Sequence, residues 1–149
     1  MDIFYITPVS SRSLFFLGVL CVLMAIMFLL FAHSAYWSRN CQVHLSDKQL
    51  EIVGDLWSRV IKIDRVNFSN IQLLDLYKAD DYALKFRTLG LRVPGYSSGW
   101  HRLRNGEKAL VYITNRHEVI YIPTYDGYSL LLSIENPNDF MSKLNEYSN

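Results

Sequence analysis

Residues 14–31 form an unbroken apolar run, LFFLGVLCVLMAIMFLLF, which contains no charged residue and no Asn, Gln, Pro or His. A helix rises about 1.5 Å per residue, so this run would span roughly 27 Å, which is close to the thickness of a bilayer core. The pattern predicts a transmembrane helix over residues 14–32, preceded by a short flank at residues 1–13. A juxtamembrane linker at residues 33–48 and one folded domain at residues 49–149 would account for the rest of the chain.

The apolar run has two interpretations besides an uncleaved anchor. A cleaved signal peptide would fit the small-x-small pattern of Ala32, His33 and Ser34, but the apolar region of such peptides usually spans only ~7–15 residues. A lipoprotein would need a small residue before its cysteine, whereas Leu20 precedes Cys21. We therefore expect an uncleaved, single-pass anchor in the cell membrane.

Positive and negative charges are balanced in this chain. Arg12 lies at one end of the apolar run, and Arg39 and Lys48 lie near the other, so the positive-inside rule favours neither orientation of the anchor. Over the whole chain, 15 Lys and Arg face 14 Asp and Glu, which gives a net charge of +1. A dedicated nucleic-acid-binding protein carries a large basic excess, so we expect no nucleic-acid partner.

Beyond the apolar run, apolar and polar residues alternate with a period of two, which is typical of half-buried β-strands. Strands are predicted at residues 49–53, 59–63, 71–76, 82–87, 108–114, 119–123 and 128–134. The segment Asn115, Arg116 and His117 separates two of these strands and predicts a β-hairpin, and Asp126 with Gly127 predicts a second tight turn.

The last predicted element is a helix. Asn136 is a good N-cap, and Pro137 suits the first helical position because its missing N–H would have no partner there. Phe140, Leu144 and Tyr147 then recur at helical spacing. Strands followed by one helix predict an α+β domain, built as a strongly bent sheet or partly open barrel with the C-terminal helix packed on it.

Residues 87–144 carry five motifs in a fixed order: RTLG, PGYSSGW, RNGEKALVYIT, IPTYDGYSLLLS and NPNDF. Together they resemble the bacterial pleckstrin-homology-like domain family. The resemblance implies two bent antiparallel sheets of about seven strands, closed at one end by a C-terminal helix, which agrees with the order of elements predicted above. Members of the family often carry a pair of N-terminal membrane helices, whereas this chain has one. The resemblance implies no catalytic residues, and it assigns no ligand.

Gly95, Ser97 and Gly99 match the G-x-S-x-G nucleophile motif of α/β hydrolases. That motif works where a strand precedes the serine and a helix follows it, because the helix N-terminus then serves the oxyanion. Here Pro94 precedes the motif and a strand-like segment follows it. A glycine-hinged loop between strands is therefore the favoured interpretation, and a serine hydrolase that uses Ser97 is a remote alternative.

Spacings typical of metal ligands, such as HExxH and CxxC, do not occur in the sequence. The four histidines are His33, His44, His101 and His117. A GxxxxGK[ST] phosphate loop does not occur either. We therefore expect no metal and no cofactor.

Positive charges are concentrated in one part of the predicted domain. Between residues 85 and 108, Glu107 is the single acidic residue among six basic ones, which are Lys85, Arg87, Arg92, Arg102, Arg104 and Lys108. A loop predicted at residues 92–100 adds two aromatic residues. The candidate binding residues are therefore Arg92, Tyr96, Trp100, Arg102 and Arg104, because aromatic rings insert at a membrane interface while Arg binds phosphate. The favoured interpretation, however, is that Trp100 belongs to the core and that the charges only solvate strands and turns; the segment at residues 92–100 remains the best single candidate for a binding element.

These observations favour a non-catalytic protein that presents one folded domain at a membrane. The domain would bind a partner protein or organise a membrane complex, and self-association is one way to do so, since tethering raises the effective concentration. The main alternative is binding of anionic lipid headgroups through the basic and aromatic loop.

Overall fold

The computed structural model describes residues 10–39, 41–54 and 56–147. They divide into an N-terminal unit and a compact domain that begins at Cys41. The N-terminal unit is helix α1 (Ser11–Arg39). Over Ser11–His33 this helix is long and apolar enough to cross a membrane, and a signal sequence would satisfy the same criterion. The predicted flank at residues 1–13 lies mostly outside the described residues, and α1 begins within it.

The described part of the domain contains nine strands and one α-helix. The elements in chain order are β1 (Gln42–Leu45), β2 (Gln49–Val53), β3 (Arg59–Lys62), β4 (Gln72–Leu74), β5 (Leu84–Val93), β6 (Tyr96–Leu103), β7 (Lys108–Ile113), β8 (Val119–Pro123), β9 (Ser129–Leu132) and α2 (Pro137–Glu146). Short 3₁₀ turns at Ile63–Arg65, Phe68–Asn70 and Asp80–Tyr82 connect some of them.

The strands form two sheets. The smaller sheet has the order β1-β2-β3, and the larger has the order β4-β8-β9-β7-β6-β5. Neighbouring strands are antiparallel except for β7 and β9, which run parallel. The two-sheet α+β architecture with a C-terminal helix confirms the predicted fold class, with one parallel pair in sheets that were expected to be antiparallel throughout.

Strand β1 lies within the segment that the sequence placed in a juxtamembrane linker. It pairs with β2 from Gln42 opposite Val53 to Leu45 opposite Leu50. Val43 and Leu45 also pack against the core. Four residues are too few for a period of two to distinguish a strand from a linker, so only the long-range pairing and packing reveal this strand.

Two apolar clusters cover the two faces of the larger sheet. The first joins it to the smaller sheet and to α2, through buried residues that include Leu50, Ile52, Ile61, Leu110, Ile120, Leu130 and Leu144. The second lies on the opposite face, beneath the segment that precedes β5, and includes Leu76, Leu103, Val111, Val119 and Leu131. Every residue of β9 is buried, which is the pattern of a central strand covered on both sides.

The prediction that the strands on either side of Asn115 form a hairpin was wrong. Strands β7 and β8 do flank that segment, but β9 lies between them in the sheet and pairs with both. Turn residues show only that the chain reverses direction, whereas burial decides which strands become neighbours, and β9, whose four residues are all buried, takes a place inside the sheet. The turn predicted at Asp126 and Gly127 does join adjacent strands, because β8 and β9 pair directly. Helix α2 begins after Asn136, as predicted.

The hairpin of β5 and β6 depends on two glycines that lie opposite each other, Gly90 and Gly99. A Cβ added at Gly99 would lie 2.5 Å from the Cα of Gly90 and 2.6 Å from the carbonyl oxygen of Leu89. Both are backbone atoms, so no side chain can move to make room. Gly99 also has a φ of 95°, in the region that favours glycine.

We expect Gly99→Ala to lower the free energy of unfolding by about 3 kcal/mol or more, because backbone strain and steric overlap act together. The matched control is Gly95→Ala in the turn of the same hairpin, where φ is 79° but nothing lies within 4 Å of an added Cβ. That variant should lose only about 1 kcal/mol. Urea titration of both variants measures the difference, and equal losses would show that the close approach is unimportant.

Candidate functional site

The five candidate residues lie on the β5–β6 hairpin and the turn that follows it, and not on a long loop. Residues 92–100 were predicted to be a loop, and this was wrong. Only Pro94 and Gly95 connect the strands, and pairing continues from Val93 opposite Tyr96 to Leu89 opposite Trp100. The glycines, serines and proline of this segment are typical of loops. Here, however, the glycines allow close approach of two strands.

The structure separates the candidate residues into three groups. Trp100 and Arg102 lie in the second half of β6, whereas Arg92 and Tyr96 lie at the tip of the hairpin. Arg104 lies after the end of β6 and forms an ion pair with Asp80. The backbone N–H of Arg104 also donates to the carbonyl oxygen of Ala83. Arg104 therefore attaches one turn to the segment before β5.

Trp100 lies between the core and a group of cationic side chains. It packs against the first apolar cluster, and its ring meets the ring of Tyr128 edge-on at a centroid distance of 5.2 Å. The Nζ of Lys108 lies 4.3 Å from the ring centroid of Trp100, and the Cζ of Arg59 lies 5.4 Å from it. Each such cation–π contact contributes about 0.5–1 kcal/mol at an exposed site.

Arg102 extends this cationic group on the same face of the sheet. It lies directly opposite Lys108 on the neighbouring strand, an arrangement that is destabilising for like charges. Its guanidinium donates a hydrogen bond to the carbonyl oxygen of Gly106 at 2.8 Å. Within residues 10–39, 41–54 and 56–147, no ion pair joins Arg59, Arg102 or Lys108 to a carboxylate. Their positive charge is therefore not neutralised by the described part of the chain.

Strand β5 adds exposed apolar side chains beside these cations. Phe86 is 49% exposed and Leu89 is 56% exposed. In the sheet register Phe86 lies opposite Arg102 and Leu89 lies opposite Trp100, so all four side chains share one face. We refer to the area formed by Phe86, Leu89, Trp100, Arg102 and Lys108 as the β5 surface. Of these five residues, Trp100 and Arg102 were predicted to bind a ligand, and Lys108 was named as one of the six basic residues. Phe86 and Leu89 were not predicted to belong to a binding surface.

The tip of the hairpin forms one side of an open groove of about 600 Å³. Arg92, Tyr96 and Ser97 line it from the hairpin, and Tyr77, Arg116 and His117 line it from the facing segments. We refer to these six residues as the hairpin-tip groove. The groove is lined by the guanidinium groups of Arg92 and Arg116 and by the imidazole of His117.

Asp75 fixes one wall of the hairpin-tip groove. The Nδ1 of His117 lies 3.3 Å from the Oδ2 of Asp75, and the ring of Tyr77 packs against His117 at 4.8 Å. A hydrogen bond from the backbone N–H of Tyr77 lowers the pKa of Asp75, and His117 and Lys78 lower it further. Asp75 therefore stays ionised and holds the imidazole in place.

The structure does not provide the nucleophile arrangement that the G-x-S-x-G motif requires. Ser97 is the second residue of β6, is only 3% exposed, and is followed by further strand and not by a helix. His117 lines the same groove, but among the described residues no hydrogen bond joins it to Ser97. The strand–turn–helix geometry of a hydrolase is therefore missing at Ser97.

A polar network lies on the second-cluster face, away from the β5 surface. The hydroxyls of Tyr121 and Ser129 donate hydrogen bonds of 2.8 and 3.0 Å to the Oε2 of Glu107. Burial raises the pKa of Tyr121 to about 12, and Glu107 contributes to the increase. Tyr121 therefore remains a hydrogen-bond donor that links β8 to Glu107, a contact that the alternating pattern of β8 could not reveal. No group of three or more His, Cys, Asp or Glu side chains in the described residues has metal-site geometry.

Comparison with known proteins gives one match. A family model described as Bacterial PH domain matches residues 41–148. It covers nearly the whole domain, and thus extends beyond the motifs at residues 87–144 to include β1 to β4. No curated protein and no solved structure matches the chain significantly.

We expect the protonation of His101 to make the stability of the domain depend on pH. His101 is fully buried in β6, with Nδ1 3.3 Å from the carbonyl oxygen of Gly99. Burial lowers the pKa of His101, and Arg92 and Arg87 lower it further. The unfolded chain therefore takes up this proton at a higher pH than the folded domain does. Stability should fall as the pH decreases below about 6.5, the ordinary pKa of histidine, by at most about 1.4 kcal/mol per pH unit.

His101→Asn removes the titrating group and keeps a side-chain donor near Gly99. Melting temperatures of this variant and of the unaltered protein, measured between pH 8 and pH 5, provide the comparison. The slope below pH 6.5 should be shallower in the variant, whatever its absolute stability. Parallel curves would show that His101 does not cause the pH dependence.

Proposed function

We propose that this chain, which belongs to the bacterial PH domain family, is a membrane-anchored, non-catalytic protein whose domain binds a partner protein. Helix α1 supports the anchor through its length and apolar composition. PH-like domains are generally non-catalytic, and Ser97 lacks the surroundings of a hydrolase nucleophile. The proposed task is to hold a partner near the membrane.

The observation that carries this proposal is the β5 surface. Five successive residues of β5, from Lys85 to Leu89, are exposed, and they include a phenylalanine and a leucine next to a half-buried tryptophan. Aromatic residues and arginine are enriched in the centres of protein interfaces. A strand that served only as scaffold would gain nothing from exposing Phe86, since burying such a side chain stabilises a protein by roughly 1.5–3 kcal/mol.

If α1 anchors the protein in a membrane, a weak contact at the β5 surface is enough to form a complex with a partner in the same membrane. Two proteins confined to the same membrane meet at a much higher effective concentration than two freely diffusing proteins do. A contact through the five residues of the β5 surface is therefore consistent with a specific complex in the membrane, although a stable complex in solution usually involves about 20–30 residues of each partner.

Site-specific photo-crosslinking in living cells tests the proposal. A photoreactive amino acid at position 89 should give an adduct of defined mass, because Leu89 is at the centre of the proposed interface. The matched control is position 60, since Val60 is similarly exposed at 52% and lies on the other sheet. We also expect Phe86→Ser to reduce the adduct at position 89 by about tenfold or more. Equal adducts at both positions, or none at either, would contradict the proposal.

A second candidate function is binding of anionic lipid headgroups, and the hairpin-tip groove favours it. Arg92 and Arg116 present two guanidinium groups to one groove, and Tyr77 on its wall is 66% exposed. Guanidinium groups bind phosphate oxygens in pairs, and an exposed tyrosine suits the membrane interface. This function would use Arg92 and Arg116 of the hairpin-tip groove, and not Phe86, Leu89 or Trp100 of the β5 surface.

Co-sedimentation of the domain (residues 41–149) with vesicles tests this second function. Its described apolar clusters consist entirely of the domain's own residues, so the fragment should fold without α1. Vesicles that contain phosphatidylglycerol should retain the domain, and those of phosphatidylcholine should not. Salt should weaken retention, and the double variant Arg92→Gln, Arg116→Gln should abolish it. The control is Arg104→Gln outside the groove. Equal retention on neutral and anionic vesicles excludes headgroup binding.

A further inference from the structure

We propose that β5 receives an extended, acidic segment of the partner protein as an additional strand of the larger sheet. This inference rests on the proposed function, because it names the kind of partner that the β5 surface would bind. It concerns the backbone edge of the strand as well as the side chains beside it.

The free edge of β5 is long. It is the last strand of the larger sheet and has 10 residues, whereas β4 at the opposite edge has three. Within the described residues, no backbone hydrogen bond outside the β5–β6 pairing involves Leu84–Val93. Such an edge presents unpaired N–H and C=O groups at every second residue, which another extended chain can satisfy.

The two halves of β5 differ in how well they could accept a strand. Register shifts occur between Leu84 and Phe86 and between Arg87 and Leu89. Bulges of this kind prevent regular edge-to-edge pairing. From Leu89 to Val93 the register with β6 is unbroken. This regular part has five residues, which is a typical strand length, so we place the added strand there.

The side chains of β5 define the composition of the incoming segment. Phe86 and Leu89 share the face of Trp100, as described above. Arg87 lies opposite His101 and Arg92 lies opposite Ser97, so these two cations are on the other face. A strand added beside β5 would place successive side chains on alternate faces. The segment that fits both faces therefore alternates apolar residues with Asp or Glu.

Charge also decides between a foreign partner and a second copy of this chain. Strand β5 carries Lys85, Arg87 and Arg92 and no carboxylate. Pairing β5 with the β5 of another copy would bring two sets of positive charges together across the new strand pair, which is unfavourable. Within Leu89–Val93 an acidic segment instead gains attraction at Arg92, and a segment that continues past Leu89 also meets Arg87. The unneutralised Arg102 on β6 and Lys108 on β7 add to the positive charge nearby.

The test uses the full chain in detergent micelles and fluorescent synthetic peptides of eight residues. The main probe alternates valine with glutamate, and a second peptide alternates valine with lysine. A third has the valine–glutamate sequence with N-methyl groups on alternate residues, which remove backbone donors along one edge. Fluorescence anisotropy measures binding, and hydrogen–deuterium exchange of residues 84–93 reports whether their amides become protected.

We expect the valine–glutamate peptide to bind and to slow amide exchange in β5. The N-methylated peptide and the valine–lysine peptide should bind about tenfold more weakly or worse, because the first lacks backbone donors and the second reverses the charge. The double variant Arg87→Glu, Arg92→Glu should reverse the preference, so that it binds the valine–lysine peptide more tightly than the valine–glutamate peptide. Lys62→Glu is the matched control, since Lys62 is an exposed cation on β3 of the other sheet.

Three results would overturn strand addition. Equal binding of the N-methylated peptide would show that side chains alone make the contact. An unchanged charge preference in the double variant would place the acidic ligand elsewhere. An adduct at position 89 with twice the mass of the chain would identify a second copy as the occupant. If position 89 gives an adduct with another protein while the valine–glutamate peptide does not bind, strand addition fails and the proposed function stands. Absence of any adduct at position 89 contradicts both strand addition and the proposed function.

Discussion

All four residues of β9 are buried, with Leu130 and Leu132 in the first apolar cluster and Leu131 in the second. A strand that is apolar on both faces must lie inside a sheet that is covered on both sides. This requirement places β9 between β7 and β8, so that one edge of β7 is occupied by β9 and the other by β6. The only neighbour left for β6 is then β5, which becomes the outer strand. The exposed edge of β5 is thus a consequence of where the most apolar strand is placed.

The glycine pair of the hairpin determines what that outer strand presents. Because Gly90 and Gly99 have no side chains, the two strands approach closely and continue in register to the turn at Gly95. The hairpin therefore holds Arg92 and Tyr96 at its tip, and it holds Phe86 and Leu89 beside Trp100. A flexible loop with the same residues would lose more conformational entropy on binding, whereas a paired strand presents them already ordered.

Electrostatic contacts divide the basic residues of the domain into two kinds. Arg65, Arg104 and Lys143 form ion pairs with Asp126, Asp80 and Asp139 respectively. The cations near Trp100 instead contact aromatic rings and each other, which orders them but leaves their charge available to a ligand. The near-neutral composition of the whole chain conceals this local excess. The positive and negative charges nearly cancel over the whole chain, but they lie at different places on the surface.

The sequence by itself determined the features that depend on near neighbours along the chain. The apolar run predicted α1, the cap and proline predicted the start of α2, alternation predicted most strands, and the motifs of residues 87–144 predicted the family. These succeed because helix and strand periodicity, caps and turns are properties of adjacent residues. Only the tertiary structure decided that β9 separates β7 from β8, that residues 92–100 are a paired hairpin, and that Arg92 and Trp100 belong to different surfaces. Strand adjacency and the exposure of Phe86 and Leu89 depend on which distant segments share a core, and no local pattern contains that information.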